Sequence, residues 1–239
     1  MPDNFWESLV RTLSYGRWEM FLRGMLVTIQ ISLGAVLLGL LIGSTIAFFK
    51  MSRFKPFRLI AFIYLGIIRG TPSVTQILLV GAIIFAGFRG NRIWIGIVAL
   101  GINSGAYVAE IIRAGIMSID KGQTEAGLSL GFTRAQTMRY IVMPQAVKNI
   151  IPTFINEFIV LIKETAIVGF VAVSDVTRVA QQIQGRTLEF TPLAVSGVMY
   201  LTLISVLTFL LSIFEKKLRA SDRDAPVLKK RRAKWGGAL

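Results

Sequence analysis

The sequence predicts an all-α polytopic membrane protein, with five transmembrane helices and a two-helix cytoplasmic loop. Three observations predict it. Of 239 residues, 54% are apolar and the mean hydropathy is +0.63. Apolar stretches long enough to cross a bilayer recur along the chain. The basic residues between them are shared unequally between alternate loops. Charged residues make up 17%, against roughly a quarter in a soluble globular chain, so disorder and a plain cytosolic enzyme are both excluded. With no cysteine and no histidine, disulfides, thiolate or imidazole metal sites, a Cys nucleophile and His-based triads are excluded as well.

A hydrocarbon core of about 30 Å needs about 20 apolar residues per helix. Met25 to Phe49 carries no charge and is the clearest span. Leu59 to Phe88 is long enough to cross but holds Arg69 and Pro72 near its middle, so an interrupted helix is expected. Ile93 to Ile112 is the third span, marked by Asn103 and Glu110. Ile150 to Val173 is the fourth, with Glu157, Lys163 and Glu164. Phe190 to Phe214 is the fifth. Acids and bases mix before residue 24, and the apolar run that follows is too long for a signal peptide. The whole chain, 1–239, is expected to be one transmembrane domain, with a coupling loop at 113–148 and a basic cytoplasmic tail at 215–239.

Five spans place the termini on opposite sides, and Lys and Arg decide which side is which. Eighteen bases fall in the segments 50–58, 113–148 and 216–234, against seven in the alternate ones. The N-terminus is therefore expected outside and the C-terminus in the cytoplasm. The tail run Lys229 to Arg232 suits orientation and contact with anionic lipid rather than nucleic acid.

The loop between the third and fourth spans is patterned. Asp120 followed by Gln123 resembles a helix start, and Gly131 supplies the positive φ that closes that helix. Thr133 with Gln136 fits a capping box, opening a second helix from about Arg134 to Val142. Pro144 precedes the next span, where a missing N–H costs least.

Glu125-Ala126-Gly127, then Gly131, then Ile141-Val142-Met143-Pro144 resembles the "EAA" loop of permease subunits of bacterial ABC importers. Arg69-Gly70-Thr71-Pro72, the run from Asn103 to Gly115, and Lys163-Glu164-Thr165-Ala166 resemble the subfamily for polar amino acids. The likeness extends from about Phe21 to Leu218. Gly127 stands where the family usually has alanine, Met143 where it has leucine, and Lys163-Glu164-Thr165-Ala166 replaces the commoner Lys-Asp-Thr-Ser. The resemblance implies that the loop docks on a separate ATPase. Glu125, Ala126 and Gly127 would form its contact turn, Gly131 its bend, and Arg134 and Arg139 its rim. It also implies an ATPase dimer that binds ATP and Mg, a second permease chain (identical or related), an extracytoplasmic substrate-binding protein and a bacterial inner-membrane location. No cofactor is expected in this chain. A phosphate-cradling loop needs Gly-Lys-[Ser/Thr], and no lysine here is followed by serine or threonine.

Ionisable groups inside a membrane cost on the order of 2.5–3.5 kcal/mol each on insertion scales, which makes them functional candidates. Arg69, Lys163, Glu164 and Asn103 all fall near mid-depth by residue count at about 1.5 Å rise per residue. Residues seven apart on a helix share a face, which groups Asn103 with Glu110, Glu157 with Glu164, and Asn156 with Lys163. A free amino acid presents a carboxylate and an ammonium. The Arg69 fork suits the carboxylate, and Glu164 or Glu157 suits the ammonium or a basic side chain. Asn103, Ser104 and Thr71 can add neutral hydrogen bonds, and Tyr107 can bound the pocket. Glu110, three residues before Arg113, fits a structural pair at least as well as a ligand contact. Arg69 and the acids could equally pair only with each other, and Lys163 could be neutralised by its neighbour.

The reading is a permease subunit of an ATP-driven importer for a polar amino acid. A same-fold permease for another solute is the nearest alternative. An ion-coupled secondary transporter would leave the organised loop without purpose and usually shows paired broken helices. An intramembrane enzyme would need a nucleophile and base at one depth. Gly39-x-x-x-Gly43 is a small-residue interface pattern that by itself names no partner.

Overall fold

A computed structural model describes residues 4–223, with side chains through Lys216. The expectation about the tail bases from Lys229 to Arg232 therefore lies outside the described residues. Helix α1 (Phe5–Leu13) leads into α2 (Arg17–Met51), and α3 (Lys55–Gly70) follows a short turn. Then come α4 (Ser73–Leu79), which continues through a π turn to Ile84, and α5 (Ile93–Met117). Short helices α6 (Lys121–Ser129) and α7 (Arg134–Thr137) precede α8 (Met143–Glu164), which a 3-10 segment extends to Val171. Helices α9 (Val176–Thr187) and α10 (Thr191–Arg223) complete the described chain, which contains no strand.

Helices α2, α5 and α10 (over Thr191–Lys216) are each long and apolar enough to cross a membrane. The pair α3 and α4 adds a fourth crossing if taken together, although the two meet at a 109° bend. Helix α8 does not join them by length and composition, because Asn149, Asn156, Glu157 and the Lys163-Glu164 pair interrupt its apolar residues. Up to four of the five expected spans are thus supported on those criteria.

The centre of the fold is the α2–α5 pairing, and small residues make it. A Cβ on Gly43 would sit 2.8 Å from the Gly105 carbonyl oxygen and 2.7 Å from Val108 Cβ. One on Gly39 would lie 3.1 Å from Ser104. The partner of the small-residue pattern is therefore α5 of the same chain. Buried Ile31, Ala35, Ala99, Leu100, Leu161 and Val168 pack where α2, α5, α8 and the 3-10 segment converge. A second cluster of Ile46, Ala47, Ala61, Leu65, Ala106 and Ala109 fastens α3 to α2 and α5. Asp175, fully buried, caps α9 by accepting from the Thr177 and Arg178 amides at 3.0 and 2.9 Å. It also accepts from the Tyr200 hydroxyl at 2.9 Å, which ties α9 to α10.

The loop between α5 and α8 follows local rules. The Asp120 side chain accepts from the Gly122 amide at the start of α6. Gly131 has φ +84°, and its amide and that of Phe132 return to the Leu128 and Gly127 carbonyls at 3.0 and 3.1 Å. This paired closure is available because glycine carries no Cβ to clash in the left-handed region. Thr133 and Gln136 then form a reciprocal capping box. Gly127 lies buried against Thr137 and Ile141, and a Cβ there would come within 2.7 Å of Thr137 Cγ2. The two short helices meet at a glycine where the family usually has alanine.

Candidate functional site

The break between α3 and α4 follows from backbone chemistry. Pro72 has no N–H, so a carbonyl one turn earlier loses its helical donor, and Thr71 is extended at φ −123°, ψ 149°. The buried Gln76 side chain repairs the gap. Its Nε2 donates to the Ile68 carbonyl at 2.7 Å, to the Thr71 carbonyl at 3.1 Å and to Thr71 Oγ1 at 2.8 Å. Its Oε1 accepts from Asn103 Nδ2 at 2.9 Å. Thr71 and Asn103 were expected to offer hydrogen bonds to a ligand, but in this structure they are engaged in holding the kink. Sequence reasoning missed Gln76. The available signal was a lone amide four residues after a mid-span proline.

A cavity of about 600 Å³ opens between α5 and α8. Tyr107, Glu110 and Ser118 line it from α5 and the residues just beyond, and Asn149, Thr153, Asn156 and Glu157 from α8. On α8 these are one polar stripe at helical spacing, and Asn149 and Thr153 could have been found by extending the Asn156 stripe toward the N-terminus. Among the described residues Glu157 has one hydrogen-bond partner, the Ser104 hydroxyl at 3.4 Å. Arg69 reaches over the Tyr107 ring, 5.9 Å from its centroid, to Glu110 at 3.4 Å. Glu110 also accepts from Lys50 and, at 2.8 Å, from Arg113. Among the alternatives open at the outset, Glu110 thus takes the i,i+3 pair with Arg113 and gathers two further cations.

The structure brings Arg69, Ser104, Tyr107 and Glu157 to the cavity or its immediate rim. Glu164 lies half-buried one stripe step beyond Glu157, and Lys163 is exposed on the neighbouring stripe. Neither makes a side-chain hydrogen bond or ion pair among the described residues. Adjacent helix positions point about 100° apart, so Lys163 and Glu164 do not neutralise each other.

At the far end of α5 and α8 the two-helix loop presents Glu125, Ala126, Arg134 and Arg139 at its surface, with Arg139 5.6 Å above the Tyr140 ring. Leu130 is 77% exposed and Tyr140 60%, with Phe132 and Met138 also exposed. Apolar side chains rimmed by charge form the composition of a protein contact surface.

Residues 35–220 match the family described as "binding-protein-dependent transport system inner membrane component". The arginine transport system permease protein ArtQ of Bacillus subtilis is 42% identical over 204 residues, which is 84% of this chain and 93% of the relative. The glutamine transport system permease protein GlnP of Escherichia coli is 34% identical over 206 residues, 84% of this chain and 93% of that one. Among solved structures, an amino acid ABC transporter with histidines superposes with a TM-score of 0.82 at 43% identity, covering 91% of this chain and all of that one. The MetNI methionine ABC transporter, at 18% identity, shares the fold with a TM-score of 0.73 over 86% of this chain and 99% of its own.

Proposed function

The chain belongs to the family of binding-protein-dependent transport system inner membrane components, and from that premise we propose that it carries a polar amino acid inward, neutral or cationic, along the α5–α8 cavity. It is the permease subunit of an ABC importer. The observation that carries the substrate reading is the contrast between the two acids of the cavity. Glu110 is compensated by Lys50, Arg69 and Arg113, while among the described residues Glu157 has only the Ser104 hydroxyl as a hydrogen-bond partner. A half-buried acid without a cation is costly, and the α-ammonium or a basic side chain of the substrate would supply one. Arg69, half-exposed beside Tyr107, would exchange Glu110 for the substrate carboxylate, where its fork can bind both oxygens. Glu164, also without a cation, continues the acidic stripe beyond Glu157. Related permeases named for arginine and glutamine agree with this charge class.

In this reading two permease chains, identical or related, sit on an ATPase dimer that binds ATP and Mg, and a substrate-binding protein delivers the amino acid from outside. The α6–α7 loop meets the ATPase through its exposed apolar residues and the rim bases Arg134 and Arg139. Five crossings, counting the α3–α4 pair as one and α8 as another, would put the termini on opposite sides, and the excess of bases in the segments 50–58, 113–148 and 216–234 favours an outside N-terminus and a cytoplasmic C-terminus in a bacterial inner membrane. Uptake into proteoliposomes holding the whole complex tests the substrate assignment. Arg69→Ala should weaken every amino acid alike, and Glu157→Gln should penalise cationic substrates more than neutral ones. A wild-type preference for glutamate, or uptake driven by an ion gradient without ATP, would sink it.

A further inference from the structure

A second cavity, of about 690 Å³, shares Glu110 with the first and is walled mainly by one face of α3. That face carries Lys55 and Arg58 in its first turn, Leu59 and Phe62 in its middle and Arg69 near its end, with Lys50 of α2 beside them. Four cations therefore line a space that contains one acid, Glu110, and that acid already holds Lys50, Arg69 and Arg113. Lys55 and Arg58 have no ion pair or side-chain hydrogen bond among the described residues. Their position worsens the imbalance. The N-terminal end of a helix is partially positive and favours acids, yet the first turn of α3 has no acid. Gly66 leaves the middle of the space open, since a Cβ there would meet nothing within 4 Å. Leu59 is 58% exposed and Phe62 74%, so apolar surface continues outward from the charged end.

The geometry points to a binding site for an anionic phospholipid, with the phosphodiester held by Lys55 and Arg58 and an acyl chain lying along Leu59 and Phe62. Basic pockets between membrane helices recognise such headgroups, each base near the surface adding about 1 kcal/mol of attraction. A free phosphate would satisfy the cations but leave the apolar wall without use, which favours the lipid as the source of the anion. The positive-inside rule alone would scatter these bases over the loop. Here Lys55 and Arg58 share one face of α3, with an open, apolar floor.

The test uses the full permease complex in nanodiscs of phosphatidylglycerol and phosphatidylcholine, with retained lipids counted by native mass spectrometry. Wild type should retain phosphatidylglycerol, and K55Q/R58Q should retain it about thirtyfold less, the loss of two such charges. Gly66→Leu, which removes no charge, should block retention by filling the cavity. Substituting Gln for Lys229, Lys230, Arg231 and Arg232 should leave retention unchanged, as should millimolar inorganic phosphate. Retention that survives both K55Q/R58Q and Gly66→Leu overturns the site. So does an equal loss on the tail substitution, which would mean diffuse charge attraction, or displacement by inorganic phosphate, which would mean a small-anion site.

Discussion

Replacing Gln76 with leucine removes the amide that holds the α3–α4 break while keeping nearly the same volume. The Ile68 carbonyl loses a 2.7 Å donor, and Asn103 loses its 2.9 Å acceptor. Pro72 cannot supply the missing donor. The Thr71 groups are exposed, and Thr71 Oγ1 keeps its 2.8 Å bond to the Ile67 carbonyl, so they contribute little. Two buried polar groups left unpaired cost about 1–3 kcal/mol each, and half-burial of Ile68 favours the lower part of the resulting range. A loss of about 2–4 kcal/mol follows, or a fall of at least about 5 °C in the melting temperature of the purified complex. Gln76→Glu should fall nearly as far, because a carboxylate still accepts from Asn103 but cannot donate to Ile68. Q76L/N103L should lose less than the two single variants combined, since removing both partners leaves fewer orphaned groups. Full stability of Gln76→Leu, or strict additivity in the double variant, would refute the reasoning.

Gly43→Leu should prevent a stable fold, because the Gly105 backbone oxygen 2.8 Å from the new Cβ cannot move aside; an expression and gel-filtration profile equal to wild type would count against the α2–α5 contact. Asp175→Ala removes the cap of α9 and leaves the half-buried Tyr200 hydroxyl with only its 3.4 Å contact to Thr165 among the described residues, a combined cost of roughly 1–4 kcal/mol. Tyr200→Phe in the same background should recover part of it in a thermal melt. Gly131→Val forces a β-branched residue to φ +84°, costing about 1–2 kcal/mol locally. It should lower ATP-driven uptake while membrane insertion, read by protease protection, stays normal.

Features closed within a few residues were legible in the sequence. The Thr133–Gln136 box, the Gly131 turn and the break at Pro72 each depend on partners no more than a few positions apart, and the structure shows each one. Helical period also grouped residues that meet in space, since Tyr107 and Glu110 on α5 and Asn156 and Glu157 on α8 line one cavity. Period could not identify what each face meets. Asn103 and Glu110 share a stripe of α5 but lie two turns apart, so one meets Gln76 from α4 and the other meets Lys50 from α2 and Arg69 from α3. Counted along the chain, Arg69 and Lys163 balance Glu157 and Glu164, and a preference for neutral or cationic substrates follows only on the premise that Lys163 is paired internally. Counted by contact, Arg69 goes to Glu110, Lys163 turns outward, and both acids of α8 are left without a cation. The second count reaches the same selectivity without that premise, because ion pairing in a bundle is set by helices that sit side by side, whatever their separation in sequence.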